Sequence, residues 1–281
     1  MKKEKLEIAA VVVVYNMYCA DSPTCRSLLD IDNEAVDVII YDNSTKDFGN
    51  RSYCERRNWT YLGGSGNMGL SKAYNAAIDH LCQQTRTDII CLFDDDTFVE
   101  TAYFDILKTC YDQSKPKVYV PYIYSAGRLL SPSMITKDGN STTFQDQESV
   151  IDYQGGDLTA INSCMAIDMR IFADYRYDEN IFLDGVDHQF IYDCKASDIG
   201  IQVIPYTCNH MYSGDVLAPY ESALNRFRIN IRDYRYIYRK YLPAFIWREG
   251  RRALSLTKRY KRTQFITLFL RSLFQRQKTT Q

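Results

Sequence analysis

Short apolar, β-branched runs alternate with stretches of helical period through the first half of the chain. Glu7–Val14 reads as a buried strand, Ser22–Ile31 as a short helix, Val36–Tyr41 as a second strand and Trp59–Leu62 as a third. Over Gly69–Cys82 the residues Leu70, Ala73, Tyr74, Ala77, Ile78 and Leu81 recur at helical spacing, which predicts an amphipathic helix. Asp88–Phe93 reads as a fourth strand, Glu100–Tyr111 as a helix and Val118–Ile123 as a further strand. Strands that alternate with helices predict βαβ units and an α/β fold with a mostly parallel sheet flanked by helices.

The pattern then changes. Ser125–Asp157 is rich in Ser, Thr, Gly and Asp with weak periodicity, and reads as a hairpin or long loop over the sheet. Leu158–Ile167 reads as one strand, Val186–Ala196 as a short helix and Ile199–Ile204 as a strand. From Glu221 onward the chain is helical, basic and aromatic. The expected organisation is an α/β body over 1–215 and a basic amphipathic helical extension over 216–281.

Composition adds little until the charges are placed. With 281 residues, 46% apolar and 25% charged, the chain is long enough for one large core, and disorder, collagen and coiled coil are excluded as descriptions of the whole. The net charge of −1 conceals an asymmetry. The first 220 residues hold 18 Lys or Arg against 32 Asp or Glu, whereas the rest hold 16 against 3. A basic extension on an acidic body predicts an anionic partner for the extension. The opening MKKEKLEIAAVVVV has no small-residue cleavage site and reads as a strand rather than a leader. No apolar run approaches the roughly 20 residues of a membrane span. Nine cysteines without a C-x-x-C pair indicate neither a zinc knuckle nor a disulfide framework. Cys82, Cys91, Cys110 and Cys164 read as small core residues, and a reducing cytoplasm is expected.

In open α/β sheets ligands sit beyond the carboxyl ends of the strands. The candidate chemistry clusters there: Asn16 after the first strand, Asp42 and Asn43 after the second, Asp94–Asp95–Asp96 after the fourth. Three carboxylates directly after an apolar strand repel one another unless a cation is held among them, and a hard divalent cation suits oxygen ligands. Asp94 and Asp96, two apart, can share one ion; the alternative is an acidic turn that caps the following helix. GSGNMG, Gly64–Gly69, has the G-x-G-x-x-G form, but it follows the third strand, and the acid about twenty residues on, Asp88, starts a strand. It reads instead as a glycine turn that lets backbone approach a ligand at a helix start, with Asn67, Gly69 and Asn75 as contacts or turn caps. Asp42 in YDNST can accept from a pyrimidine ring N–H or simply make a turn. Asp184 and Asp187 in FLDGVD can both face one site, where a carboxylate would serve as a general base or cap the helix. His210, before a Ser-Gly turn, can complete a metal shell or serve as an ordinary hydrogen-bonding histidine.

The ordered set YN, YDNS, GNMGLSKAYN, FDDDT, FLDGVD and the later H-x-x-x-G resembles a family 2 glycosyltransferase of the GT-A fold, within its bacterial rhamnosyltransferase-like branch. The resemblance runs over about Glu7–Gly214. It implies a GT-A type Rossmann-like sheet with a donor-binding half over about 1–124 and an acceptor half over about 125–215. It implies a nucleotide-sugar donor, dTDP- or UDP-linked, and a divalent metal, Mn2+ or Mg2+. By resemblance Asp94, Asp96 and His210 hold the metal and Asp95 stands between the two acids. Asp42, Asn43, Asn16, Asn67, Gly69 and Asn75 fall in the donor-binding elements, and Asp187 is the base of an inverting transfer. The implied product is a rhamnoside of a glycan or lipid-diphosphate-linked acceptor in cell-surface polysaccharide synthesis, with galactofuranosyl or hexosyl transfer as alternatives. Two positions depart from the family pattern: Val186 precedes the base where Glu is usual, and Asp193 stands where Arg often does. Two rivals remain, a haloacid-type phosphatase and a non-catalytic nucleotide-sugar-binding scaffold. The basic aromatic extension is expected to meet an anionic membrane through 221–281, peripherally on the inner face of the plasma membrane. The alternative is a helix packed on the body. No nucleic-acid partner is expected.

Overall fold

The computed structural model describes residues 6–31, 36–84, 87–135, 141–153, 157–209 and 218–274. The first half follows the alternating order: β1 (Ile8–Val14), α1 (Pro23–Leu28), β2 (Val36–Asp42), α2 (Asn50–Glu55), β3 (Thr60–Gly63), α3 (Leu70–Gln84), β4 (Ile89–Asp94), α4 (Thr101–Cys110) and β5 (Lys117–Ser125). Then come β6 (Arg128–Ser131), β7 (Ser133–Ile135), β8 (Ser141–Thr143), α5 (Gln147–Ile151), β9 (Leu158–Thr159), β10 (Met165–Asp168), α6 (Val186–Ala196) and β11 (Gly200–Asn209). Three helices, α7 (Tyr220–Ile237), α8 (Leu242–Tyr260) and α9 (Gln264–Phe274), end the described chain.

Among the described residues the central sheet has the order β11–β5–β10–β4–β1–β2–β3, with β6 on β5. β10 runs antiparallel to both neighbours, while β11/β5, β4/β1, β1/β2 and β2/β3 are parallel. Every residue of β1 is buried, so its run of alanines and valines serves both faces. Ile8, Ala10, Val12 and Val14 face α1, α2 and α4; Ala9, Val11 and Val13 face α3 and α6. Burying a Val or Ile side chain contributes about 1.5–3 kcal/mol, and this two-sided burial holds β1 in the interior of the sheet, between β4 and β2.

Four features differ from the expectation. The apolar run Leu158–Ile167 is not one strand. β9 joins a small antiparallel sheet with β7 and β8, and β10 joins the main sheet. The break spans residues 160–164, and its last residue, Cys164, takes a left-handed φ of 58°. The Ser/Thr/Gly-rich region is this small sheet with a short helix. α2 was not anticipated; six residues are too few for a periodicity, yet it buries Tyr53 and Cys54. Of the cysteines read as core, Cys91 and Cys164 are buried, Cys110 is half-buried and Cys82 is exposed, because it faces outward at the end of α3; all nine are free.

The extension has its own apolar cluster, centred on Phe227, Phe245, Phe265 and Phe269. It is also fastened to the body. Asp233 of α7 is 0% exposed, and its carboxylate accepts from the backbone N–H groups of Phe182 (3.2 Å), Leu183 (2.8 Å) and Asp184 (3.0 Å). Gly185, next in the chain, has φ +81°, and a Cβ there would lie 2.8 Å from Ile237. The left-handed φ favours glycine at this position, beside the end of the Ile237 side chain of α7. Asp233→Ala leaves three amides without an acceptor, and hydrogen bonds to a charged group are worth about 1.5–3 kcal/mol each. Denaturant unfolding is expected to show a loss of at least about 3 kcal/mol, well beyond an ordinary surface substitution.

Candidate functional site

β4 ends at Asp94, and the turn after it carries Asp95 and Asp96. Hydroxyls around α1 shape that turn. Ser22 Oγ donates to the Asp95 carbonyl at 2.6 Å. Thr24 Oγ1 donates to the Asp94 carbonyl at 2.6 Å and accepts from the Thr97 N–H at 2.9 Å. Ser27 Oγ accepts from the Val99 N–H at 3.1 Å. The Ser163 hydroxyl donates to the Asp94 carboxylate, and the Asp95 carboxylate accepts from the Tyr15 N–H at 3.0 Å. Burial, and then the negative charges of Asp96 and Asp94, push the Asp95 carboxyl up to about 6.

A divalent cation fits this turn. Its donors are hard oxygens of the kind such an ion takes; the rise at Asp95 comes first from burial, with the neighbouring carboxylates adding to it. The residues that would hold it are Asp94 and Asp96. His210, the third candidate, lies outside the described residues, and among the described residues no three His, Cys, Asp or Glu side chains are gathered into a metal-holding group.

Beside the turn, a crevice of about 380 Å³ is lined by Asp42, Lys46, Asp47, Arg51, Tyr61 and the glycines at 63, 64 and 66. The buried Asp42 carboxylate accepts from the Ser44 N–H (3.0 Å), Asn50 Nδ2 (2.9 Å) and the Tyr61 hydroxyl (3.2 Å). Burial and the Asp42 charge push the Tyr61 hydroxyl up to about 12, so it stays a donor at neutral pH. The Arg51 guanidinium lies 4.7 Å over the Tyr61 ring. Gly63, at φ +91°, lets the chain turn where a Cβ would lie 2.4 Å from the Asp42 carbonyl oxygen.

The asparagines of the site shape loops. Asn16, at φ 51°, accepts from the Thr45 N–H and hydroxyl, each at 2.9 Å. Asn43 Oδ1 accepts from the Met68 N–H at 2.7 Å and so ties the second strand's end to the glycine turn. Asn67 Oδ1 accepts from the Gly69 N–H at 3.1 Å. Gly69 itself packs against Phe182, whose ring carbon would be 2.5 Å from an added Cβ. The Asn75 amide is spent on the Tyr177 backbone and Glu179 Oε1, which anchors α3 to the segment before α6.

α6 starts after Gly185 with Asp187 in its first turn, half-buried, where Oδ1 accepts from the His188 N–H at 2.7 Å. Asp184, three residues before it, is held by Arg226 of α7, which donates to its carboxylate at 2.5 and 2.8 Å. The buried Tyr74 hydroxyl is raised well above the usual range by burial and then by the charges of Asp94 and Asp187. The β4 turn and the start of α6 therefore lie within electrostatic reach of one atom. Sequence reasoning passed over Ser22, Thr24, Ser163 and Asp233. Ser22 had a signal, an N-cap serine before Pro23. Ser163 had one also, a polar pair with Asn162 inside an apolar run.

No family model and no curated protein sequence matches the chain. Solved structures do. A crystal structure of GalNAc-T7 with UDP, GalNAc and Mn2+ matches at a TM-score of 0.58 and 13% identity, over 81% of this chain and 48% of that one. Staphylococcus aureus TarS 1-349 in complex with UDP matches at 0.50 and 14% identity, over 82% of this chain and 66% of that one. The chain thus spans about half the length of the first. The central architecture is that of GT-A glycosyltransferases, a mostly parallel sheet flanked by helices.

The Asp95 environment gives a pH-dependent prediction. Its folded value of about 6 lies above the unfolded 3.8, so ionisation opposes folding. The cost is absent below pH 4, grows between about pH 4 and 6, and is constant above. In metal-free buffer Asp95→Asn, which keeps the acceptor for Tyr15, is expected to match wild-type stability at pH 4 and exceed it by up to about 3 kcal/mol at pH 7.5. Thermal unfolding at the two pH values checks this.

Proposed function

We propose that this protein is an inverting glycosyltransferase that moves a sugar from a nucleotide diphosphate to a hydroxyl of a glycan or lipid-linked acceptor, in the synthesis of a cell-surface polysaccharide. What supports this reading is the GT-A fold, together with the placing of Asp42 and Asp94 on either side of the end of β1 and the charges of Asp94 and Asp187 that both act on the Tyr74 hydroxyl. An ionised carboxylate offers about four acceptor positions. Three at Asp42 are filled by Ser44, Asn50 and Tyr61, which leaves one for the ring N–H of uracil or thymine. Rhamnose from a dTDP donor is the favoured sugar, on the motif order quoted above, followed by galactofuranose or a hexose from UDP.

Asp187 takes the proton of the acceptor hydroxyl. It stands in the first turn of α6. As that proton leaves, the acceptor oxygen bonds to the anomeric carbon from the face opposite the diphosphate, and the carbon–oxygen bond to the diphosphate breaks with inversion. Asp94 and Asp96 would hold a divalent cation, Mn2+ or Mg2+, which neutralises charge on the departing diphosphate. The Ser22, Thr24 and Ser27 hydroxyls keep the turn that carries these acids in one conformation, so its organisation precedes binding.

Asp187→Asn is expected to retain donor affinity and lose transfer by roughly 100-fold or more, the usual effect of removing a general base. Steady-state transfer assays decide it; unchanged turnover removes Asp187 from that role. Asp96→Ala is expected to abolish metal-dependent binding of the donor in calorimetry, and normal binding would refute its part in holding the cation.

A further inference from the structure

We infer that the outer surface of α8 and α9 docks on an anionic lipid surface. Half of the large exposed apolar side chains of the described protein fall between Tyr241 and Phe274. On α8, Trp247, Arg251, Leu254 and Lys258 follow at intervals of four, three and four residues and form one stripe. Phe245, Glu249 and Ala253 form the opposite, buried stripe. Trp247 is 54% and Leu254 61% exposed, and the Arg251 guanidinium lies 5.4 Å over the Trp247 ring. α9 likewise buries Phe265 and Phe269 and turns Leu270 and Phe274 to solvent, the latter 86% exposed. These side chains are apolar on a face that the described residues leave uncovered.

Charge selects the occupant. From Leu242 to Phe274 the sequence has eight Lys or Arg and one acid, Glu249. Glu249 is buried against Arg248, while the other seven basic residues are exposed. Long basic side chains beside Trp, Leu and Phe can leave their heads among phosphates while the apolar parts enter the acyl boundary. No described helix is long and apolar enough to cross a membrane, so the contact is interfacial. An acidic protein would satisfy the charges but offers no reason for the exposed Trp247, Leu254 and Phe274. The inference does not depend on the donor chemistry. It adds to the proposed transfer by bringing the base-carrying segment 182–187, which α7 fastens to this extension, near lipid-borne acceptors.

The protein contains two tryptophans. Trp59 is 6% exposed in the core, so a change in emission on lipid addition reports Trp247. Full-length protein is mixed with vesicles of phosphatidylcholine alone or with phosphatidylglycerol. A blue shift and co-sedimentation are expected with the anionic vesicles only, both weakening as salt is raised. Leu254→Glu, and Arg251→Glu combined with Lys258→Glu, are each expected to lower the anionic-vesicle partition coefficient by about tenfold or more. These positions are exposed, and unchanged melting temperatures and nucleotide binding separate this result from a failure of the fold or of the donor site. Equal binding to both vesicle types, a shift that persists in Trp247→Phe, or salt-sensitive binding to polyglutamate with no vesicle partition would overturn the inference.

Discussion

Like charges crowded at the end of a buried strand govern the site. β4 is apolar and enclosed until Asp94, and the chain then presents two more carboxylates within one turn. Such a turn would open to relieve its repulsion if nothing held it. What holds it is a set of small hydroxyls: Ser22, Thr24 and Ser27 grip its backbone from one side, and Ser163 and the Tyr15 amide bind its carboxylates. The sheet order follows the same need. β10 enters antiparallel beside β4, and the loop that delivers it brings Ser163 to Asp94. The strained φ at Cys164 and the break of an otherwise continuous apolar run are consequences of that delivery.

A second carboxylate acts at a distance. Asp233 lies in the extension, yet it collects the three amides that lead to Gly185 and the first turn of α6. Phe182, in the same segment, packs on Gly69 at the head of α3, and its carbonyl accepts from the Leu70 N–H at 2.6 Å. The extension, the segment before α6 and the glycine turn are therefore one continuous piece of packing. The basic helices are part of the framework that sets Asp187, and their outer face is free for a separate task.

Much of the sheet was readable because β-branched runs buried on both faces leave few other options. β1, β2, β4 and β5 fall where the hydrophobic pattern put them, within a residue or two. The Leu158–Ile167 run misled because composition does not reveal a left-handed residue at Cys164. At the site, position after a strand end singled out Asp42 and Asp94–Asp96. It did not separate the asparagines that shape loops from groups that touch a ligand, since a short amide does both. Asn75, which reads as a ligand contact or a turn cap, hydrogen-bonds Tyr177 and Glu179 more than 100 residues away in sequence. Ser22 and Thr24 were legible only as helix-start residues, because the partner they hold is some 70 residues on.

In the function we propose, the Asp42 crevice and the carboxylate turn together form a cation-assisted site for a nucleotide sugar. A melting-temperature screen of UDP- and dTDP-linked sugars, each with and without Mn2+, tests it most directly. At about 100 times its dissociation constant a ligand adds about 2.7 kcal/mol, or roughly 5 °C for a protein of this size. Such a rise is expected for at least one uracil or thymine nucleotide sugar in the presence of Mn2+, with little rise for the same compound without the ion. No rise for any of them, with Mn2+ present and the protein folded, would contradict it.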